Sequence, residues 1–192
     1  LVLCDVVRVD DAGNIYDVFV RREVLPEDGW VLRWLLRNPS LVPASAMFRR
    51  EVFESCGGFD VSLRTAEDID FHLRVARQWK IGVVEASLVD ALRGQDTGLS
   101  AEATTYDDYV KVVERAVADA AGSVDESIRR EALAVTYARN ARGMLIRRRW
   151  RDALRLWRAA RAHATMDESR RMVRELVPFA ARRLLHSALR RS

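Results

Sequence analysis

The chain is short of the residues that build disulfide scaffolds and metal centres. Its 192 residues include 2 cysteines, Cys4 and Cys56, and 3 histidines, His72, His163 and His186. Two cysteines this far apart make neither a disulfide framework nor a zinc motif, and the histidines are scattered. Cys4 lies in an apolar run, where a thiol behaves as a small hydrophobe, and a pair of reduced thiols suits a reducing cytosol. No metal site is expected on this chain. Long apolar runs are missing too. The opening "LVLCDVV" is too short to cross a bilayer and lacks the basic flank and cleavage site of a signal peptide. Lysine is nearly absent: Lys80 and Lys111 are the only lysines among 32 basic residues. So strong a bias towards arginine, beside abundant alanine, reflects composition, and the pI of about 9.5 is not taken as a nucleic-acid signal.

What is present supports a folded protein. Apolar residues make up 49% of the chain, enough for a packed core. Charge divides unevenly: residues 129–192 hold 18 arginines and 5 acids, whereas residues 1–128 hold 14 basic residues and 23 acids. An acidic front and a basic tail predict two parts, 1–103 and 104–192.

The front part mixes strands and helices. "LVLCDVVRV" and "IYDVFV" flank the turn cluster "DDAGN" and predict a hairpin. "GWVLRWLLRN" has helical spacing with Trp30 and Trp34 on one face, and "ASAMF" reads as a short buried strand. "RREVFES" predicts a helix stopped by Gly57 and Gly58. "IGVVEASLVDALR" alternates as one or two strands. From about Thr104 the pattern is helical throughout, and Pro178 is expected to kink the last helix. The helices around Trp150 form a single tetratricopeptide-like hairpin within a small bundle. The run 171–191 places apolar residues on one stripe and arginines elsewhere, a pattern suited to weak contact with anionic membrane.

Between those parts stands an acidic cluster, Glu67, Asp68 and Asp70, at a predicted helix start. Thr65 is expected to be the N-cap, with Asp68 three residues on in a variant capping box. Carboxylates there complement the helix dipole. The same field favours the ionised form that a general base requires. Asp68 and His72 share a helix face, and their pairing is expected to be a packing or solvent contact.

The run "LVPASAMFRREVFESCGGFDVSLRTAEDIDFHLRVA" resembles the acceptor-side half of a family 2 glycosyltransferase. The features that carry the resemblance are Ser45, Arg49-Arg50, Gly57 to Asp60, Glu67-Asp68, Asp70-Phe71 and Arg74. It implies an α/β fold: a partial glycosyltransferase A-type domain lacking its N-terminal nucleotide-binding half, followed by an all-α C-terminal extension. It also implies an inverting transfer of a sugar from a nucleotide-sugar to an acceptor hydroxyl. Asp68 would be the base. Glu67, Gly57, Gly58 and Trp34 would contact the acceptor, Arg93 and Gln95 the donor diphosphate, and Asp60 and Asp70 would be structural. Mg²⁺ or Mn²⁺ would belong to the full-length enzyme, held by an Asp-x-Asp motif upstream of Leu1, so that this chain alone would be an inactive fragment. The acceptor would be a sugar or lipid-linked molecule of bacterial cell-envelope polysaccharide. The enzyme would be cytoplasmic, or peripheral at the inner membrane face. The alternative expectation is a non-catalytic helical interaction module whose acids at 67–70 are only helix caps.

Overall fold

A computed structural model describes residues 1–19, 24–39, 41–92 and 105–165. It contains two compact units, Leu1–Ala120 and Ala121–Ser192.

The first unit is built on β1 (Val2–Val9), whose residues Leu3 to Val7 are all buried. β2 (Ile15–Phe19) pairs antiparallel with Val6–Val9, and the two-residue β3 (Ala46–Met47) pairs antiparallel with Val2–Leu3. β4 (Gly82–Leu92) runs parallel to β1 along its whole length. A strand has two edges, so β2 and β3 share one edge in tandem and β4 occupies the other. The expected hairpin is present. Its turn is held by Asp10, whose Oδ1 accepts hydrogen bonds from the amides of Ala12 at 2.9 Å and Asn14 at 2.8 Å. Within "IGVVEASLVDALR", Gly82–Leu92 form one strand, with register shifts on either side of Asp5 in β1. Extra residues bulging out of the ladder break its simple alternation.

The helices α1 (Leu32–Arg37), α2 (Arg50–Cys56) and α3 (Glu67–Gln78) lie between β1 and β4 in the chain. α2 ends where Gly57 takes the left-handed conformation (φ 81°) and its amide bonds the Phe53 carbonyl at 3.0 Å. Gly58 is also left-handed, and a Cβ there would come within 3.0 Å of the Phe53 ring. Both positions therefore call for glycine. α2 and α3 share a core of Val52, Cys56, Phe71 and Val75, flanked by Phe48 and Trp79. The fully buried Phe71 ring lies 5.3 Å from Phe48, 5.4 Å from Phe53 and 5.1 Å from Phe59, centroid to centroid. Edge-on and tilted aromatic packing of this kind holds the α2–α3 connection to one arrangement.

Helix α4 (Thr105–Asp119) packs on α3 and α1 and buries Val112, Val113 and Val117. It belongs to the first unit, so the division falls after Ala120 rather than after residue 103. A run of helical sequence shows that a helix forms but not which layer its apolar stripe joins.

Three local expectations change. Helix α1 begins at Leu32, so Trp30 precedes it and is half exposed, with Lys80 over its ring at 5.7 Å. The two tryptophans therefore do not share a helix face. Of "ASAMF" only Ala46–Met47 form a strand, β3, and it is not buried: Pro43–Ser45 form a 3₁₀ turn and Met47 is 78% exposed. Ala66, not Thr65, is the N-cap of α3, and no side chain caps that helix.

The second unit is described as far as Thr165. α5 (Glu126–Ile146) and α6 (Trp150–His163) are joined by Arg147–Arg149 and form an antiparallel hairpin. Arg130 near the start of α5 donates to the Ala162 carbonyl at 3.5 Å, and the rings of Tyr137 and His163 lie 5.7 Å apart. Ala132, Ala141, Ala153 and Ala160 are buried, and such small side chains let two helix backbones approach closely. Among the described residues no helix is long and apolar enough to cross a membrane. The expected membrane-contacting run 171–191 lies outside the described residues.

Candidate functional site

The acidic cluster forms the first turn of α3, where Glu67, Asp68 and Asp70 all complement the helix dipole. Two residues along a helix rotate the side chain by about 200°. Asp68 and Asp70 therefore face opposite sides, and the structure gives them different surroundings.

Asp70 is 3% exposed and faces α4. Its Oδ2 accepts from Arg74 Nε at 2.9 Å, and its Oδ1 accepts from Arg115 Nη2 at 2.5 Å. Arg74 also donates to the carbonyls of Cys56 and Gly58, fastening α3 to the glycine turn after α2. Arg115 Nη1 bonds Asp60 Oδ2 at 3.0 Å. Two arginines thus join the glycine turn, the following loop, α3 and α4 through two carboxylates.

Asp60 lies in the first half of the loop between α2 and α3. Its Oδ1 accepts from the Ser62 hydroxyl at 2.6 Å and the Ser62 amide at 3.0 Å. These two bonds, then Arg115, hold its carboxyl down at about 2, against an ordinary 3.8. Because the folded value is depressed, the stability it confers is fully present above pH 3.8 and is lost as pH falls towards about 2. In Ser62→Ala the Asp60 midpoint is expected to rise towards 3.8, followed by carboxyl NMR titration. An unmoved midpoint would assign the depression to the Ser62 amide and Arg115, both of which the variant keeps.

Thr65 lies near the end of that loop. Its hydroxyl donates to Asp108 Oδ2 of α4 at 2.9 Å, and its amide points to the same oxygen at 3.3 Å. Ala66 follows in the left-handed conformation at φ 62°.

Asp68 is half-buried, and its Oδ1 accepts from the Ile69 amide at 2.8 Å. Burial pushes its carboxyl above the usual carboxylate range, and amide hydrogen bonds from Ile69 and from its own N–H oppose the rise. Among the described residues no lysine or arginine pairs with it. One turn on, His72 is fully buried, its Nδ1 has no hydrogen-bond partner, and burial pushes its pKa down to about 4. At neutral pH it is therefore an uncharged packing residue. Glu67 is half-buried beside Asp68.

A cavity of about 340 Å³ opens on the Asp70 side of α3, lined in part by Gly57, Asp60, Leu73, Arg77 and Arg115. It takes Leu32 rather than Trp34 from α1, and it includes neither Glu67 nor Asp68. Its arginines are already matched by Asp60, Asp70 and Asp119, so it offers little net charge to a ligand. Of the expected site residues, Gly57, Asp60 and Asp70 meet at this cavity, Glu67 and Asp68 lie together at the α3 start, and Trp34 is half-buried on α1. Arg93 and Gln95 lie outside the described residues.

Sequence reasoning missed Asp108 and Arg115. Their signal was present in α4: Asp108, Val112, Arg115 and Asp119 recur at helical spacing on one stripe. A charged residue on the buried face of a helix, as Asp108 is, points to a specific partner across the interface, and Arg115 and Asp119 continue its stripe on the exposed side.

Compared with protein-family models, curated proteins and solved structures, the chain matches none.

Proposed function

We propose that the first unit is the acceptor side of an inverting glycosyltransferase in which Asp68 is the general base. One observation carries this reading. Asp60 and Asp70 are committed to arginines, whereas Asp68 is half-buried, oriented by the Ile69 amide and free of a cationic partner among the described residues. A carboxylate held but not neutralised is suited to take a proton.

The acceptor hydroxyl gives its proton to Asp68 as its oxygen bonds to the anomeric carbon of the nucleotide-sugar. The bond from that carbon to the diphosphate breaks on the opposite face, and the configuration inverts. The hydroxyl is a weak nucleophile, so removal of its proton as the bond forms lowers the barrier. Partial burial strengthens Asp68 as a base. Glu67, its neighbour at the helix start, is suited to orient the acceptor. The divalent ion implied by the resemblance would belong to residues outside this chain; among the described residues no group of three or more His, Cys, Asp or Glu side chains could hold a metal. The steps given therefore involve only the chain's own residues. The acceptor belongs to the sugar or lipid-linked class, and the enzyme would work at the cytoplasmic side of the cell envelope.

The reading is tested by following nucleoside diphosphate release from a panel of nucleotide-sugars, using the complete protein that contains these residues. Release that depends on an added saccharide or lipid-linked acceptor is expected. Absence of release across uridine, guanosine and thymidine diphosphate sugars with such acceptors would reject it.

A further inference from the structure

We infer that α4 is the positioning element of the Asp68 carboxylate, with Asp108 and Arg115 as positioning residues on the loop that delivers it. The inference rests on the assignment of Asp68 as base and adds what holds that base in place.

The loop runs from Gly57 to Ala66, and α4 grips it at two points. In its first half, Arg115 bonds Asp60 at 3.0 Å. At its end, Asp108 receives the Thr65 hydroxyl at 2.9 Å and lies 3.3 Å from the Thr65 amide. Arg115 also holds Asp70, two residues beyond Asp68, at 2.5 Å. Asp68 thus sits between two points that one helix fixes from outside.

The behaviour of Thr65 is the telling detail. A threonine just before a helix ordinarily turns its hydroxyl back to the helix's own free amides. Here the hydroxyl goes to a buried aspartate of α4, and α3 has no side-chain cap. The start of α3 is therefore set by a tertiary contact in place of a local one. Ala66 then adopts a left-handed conformation that alanine disfavours, and its carbonyl accepts the Asp70 amide at 3.0 Å. Such a conformation persists where surrounding contacts over-determine it. Asp68 has no cation of its own to hold it, so its carboxylate goes where this backbone puts it.

The test uses the 192-residue chain without nucleotide-sugar and compares Thr65→Val, Arg115→Met and the conservative Thr65→Ser. Two quantities are measured by NMR: the Asp68 carboxyl titration, and amide exchange at Ile69 and Asp70 with β1 amides as the internal reference. In Thr65→Val, exchange at Ile69 and Asp70 should quicken about tenfold relative to β1, the effect of one lost hydrogen bond. The Asp68 titration should fall towards the ordinary carboxylate range as its carboxyl gains water. Arg115→Met should move both in the same direction, and Thr65→Ser should restore wild-type values.

If the Asp68 titration stays unmoved in both Thr65→Val and Arg115→Met while the chain remains folded, the inference is overturned. Uniform acceleration that includes β1 would overturn it as well. Should Thr65→Val fail to fold, Arg115→Lys supports the same comparison, because one ammonium cannot serve Asp60 and Asp70 as a forked guanidinium does. The outcome is independent of transfer. A shifted Asp68 in an enzyme that transfers no sugar rejects the proposed function alone, and an unshifted Asp68 in an active enzyme rejects the positioning role alone.

Discussion

Asp68→Asn is expected to lower the proposed sugar transfer about 10²-fold or more while leaving the fold intact. Asparagine keeps the shape of the side chain and can still accept the Ile69 amide hydrogen bond, but it cannot take a proton from an acceptor hydroxyl. The substitution also introduces no unpaired cation, because no lysine or arginine among the described residues relies on Asp68. Thermal midpoints of the variant and the wild type should therefore lie close together. Acceptor affinity should change little, so the loss belongs in kcat. Wild-type turnover should decline on acidification at a higher pH than an unperturbed aspartate would dictate, because burial raises the Asp68 carboxyl. If Asp68→Asn turns over normally and Asp70→Asn abolishes transfer without unfolding the protein, Asp68 is not the base.

Asp70→Ala should act on stability, by about 3 kcal/mol. The carboxylate is almost wholly buried and lies between Arg74 and Arg115. Its removal leaves two guanidinium groups facing each other across an empty site. Breaking a buried ion pair by deleting one partner commonly costs about 3–5 kcal/mol. The lower end applies because the side chains of Arg74 and Arg115 are 28% and 47% exposed, so water takes over part of their solvation. The loss should appear as a lower urea midpoint with an unchanged slope. Combining Asp70→Ala with Arg115→Met should cost less than the sum of the two, since each removes the other's partner. An Asp70→Ala midpoint within error of wild type would show that the arginines are solvated independently of Asp70.

Much of the local structure was legible in the sequence because its causes are local. The β-branched run of β1, the Asp10–Asn14 turn and the glycine stop after α2 each follow from backbone preferences of a few neighbouring residues. The acidic first turn of α3 was legible for the same reason. The reading of Thr65 as a cap failed because local capping propensity competes with any stronger distant partner. Asp108, buried on α4, supplied one. The tryptophan pair failed similarly, since helical spacing has no meaning for Trp30, which lies before the helix begins.

By itself the sequence determined where most helices and strands lie, where glycine stops α2, and that Glu67, Asp68 and Asp70 gather at one helix start. Only the tertiary structure decided how those acids differ. Asp70 and Asp68 are two residues apart, yet a carboxylate's role depends on which charges reach it, and Arg115 arrives from another helix 45 residues away. The same distance in sequence placed α4 with the sheet unit, because an apolar stripe joins whichever surface excludes water best. Pairings made through space have no periodicity along the chain, and here they separate the carboxylate anchored by two arginines from the one without a cationic partner among the described residues.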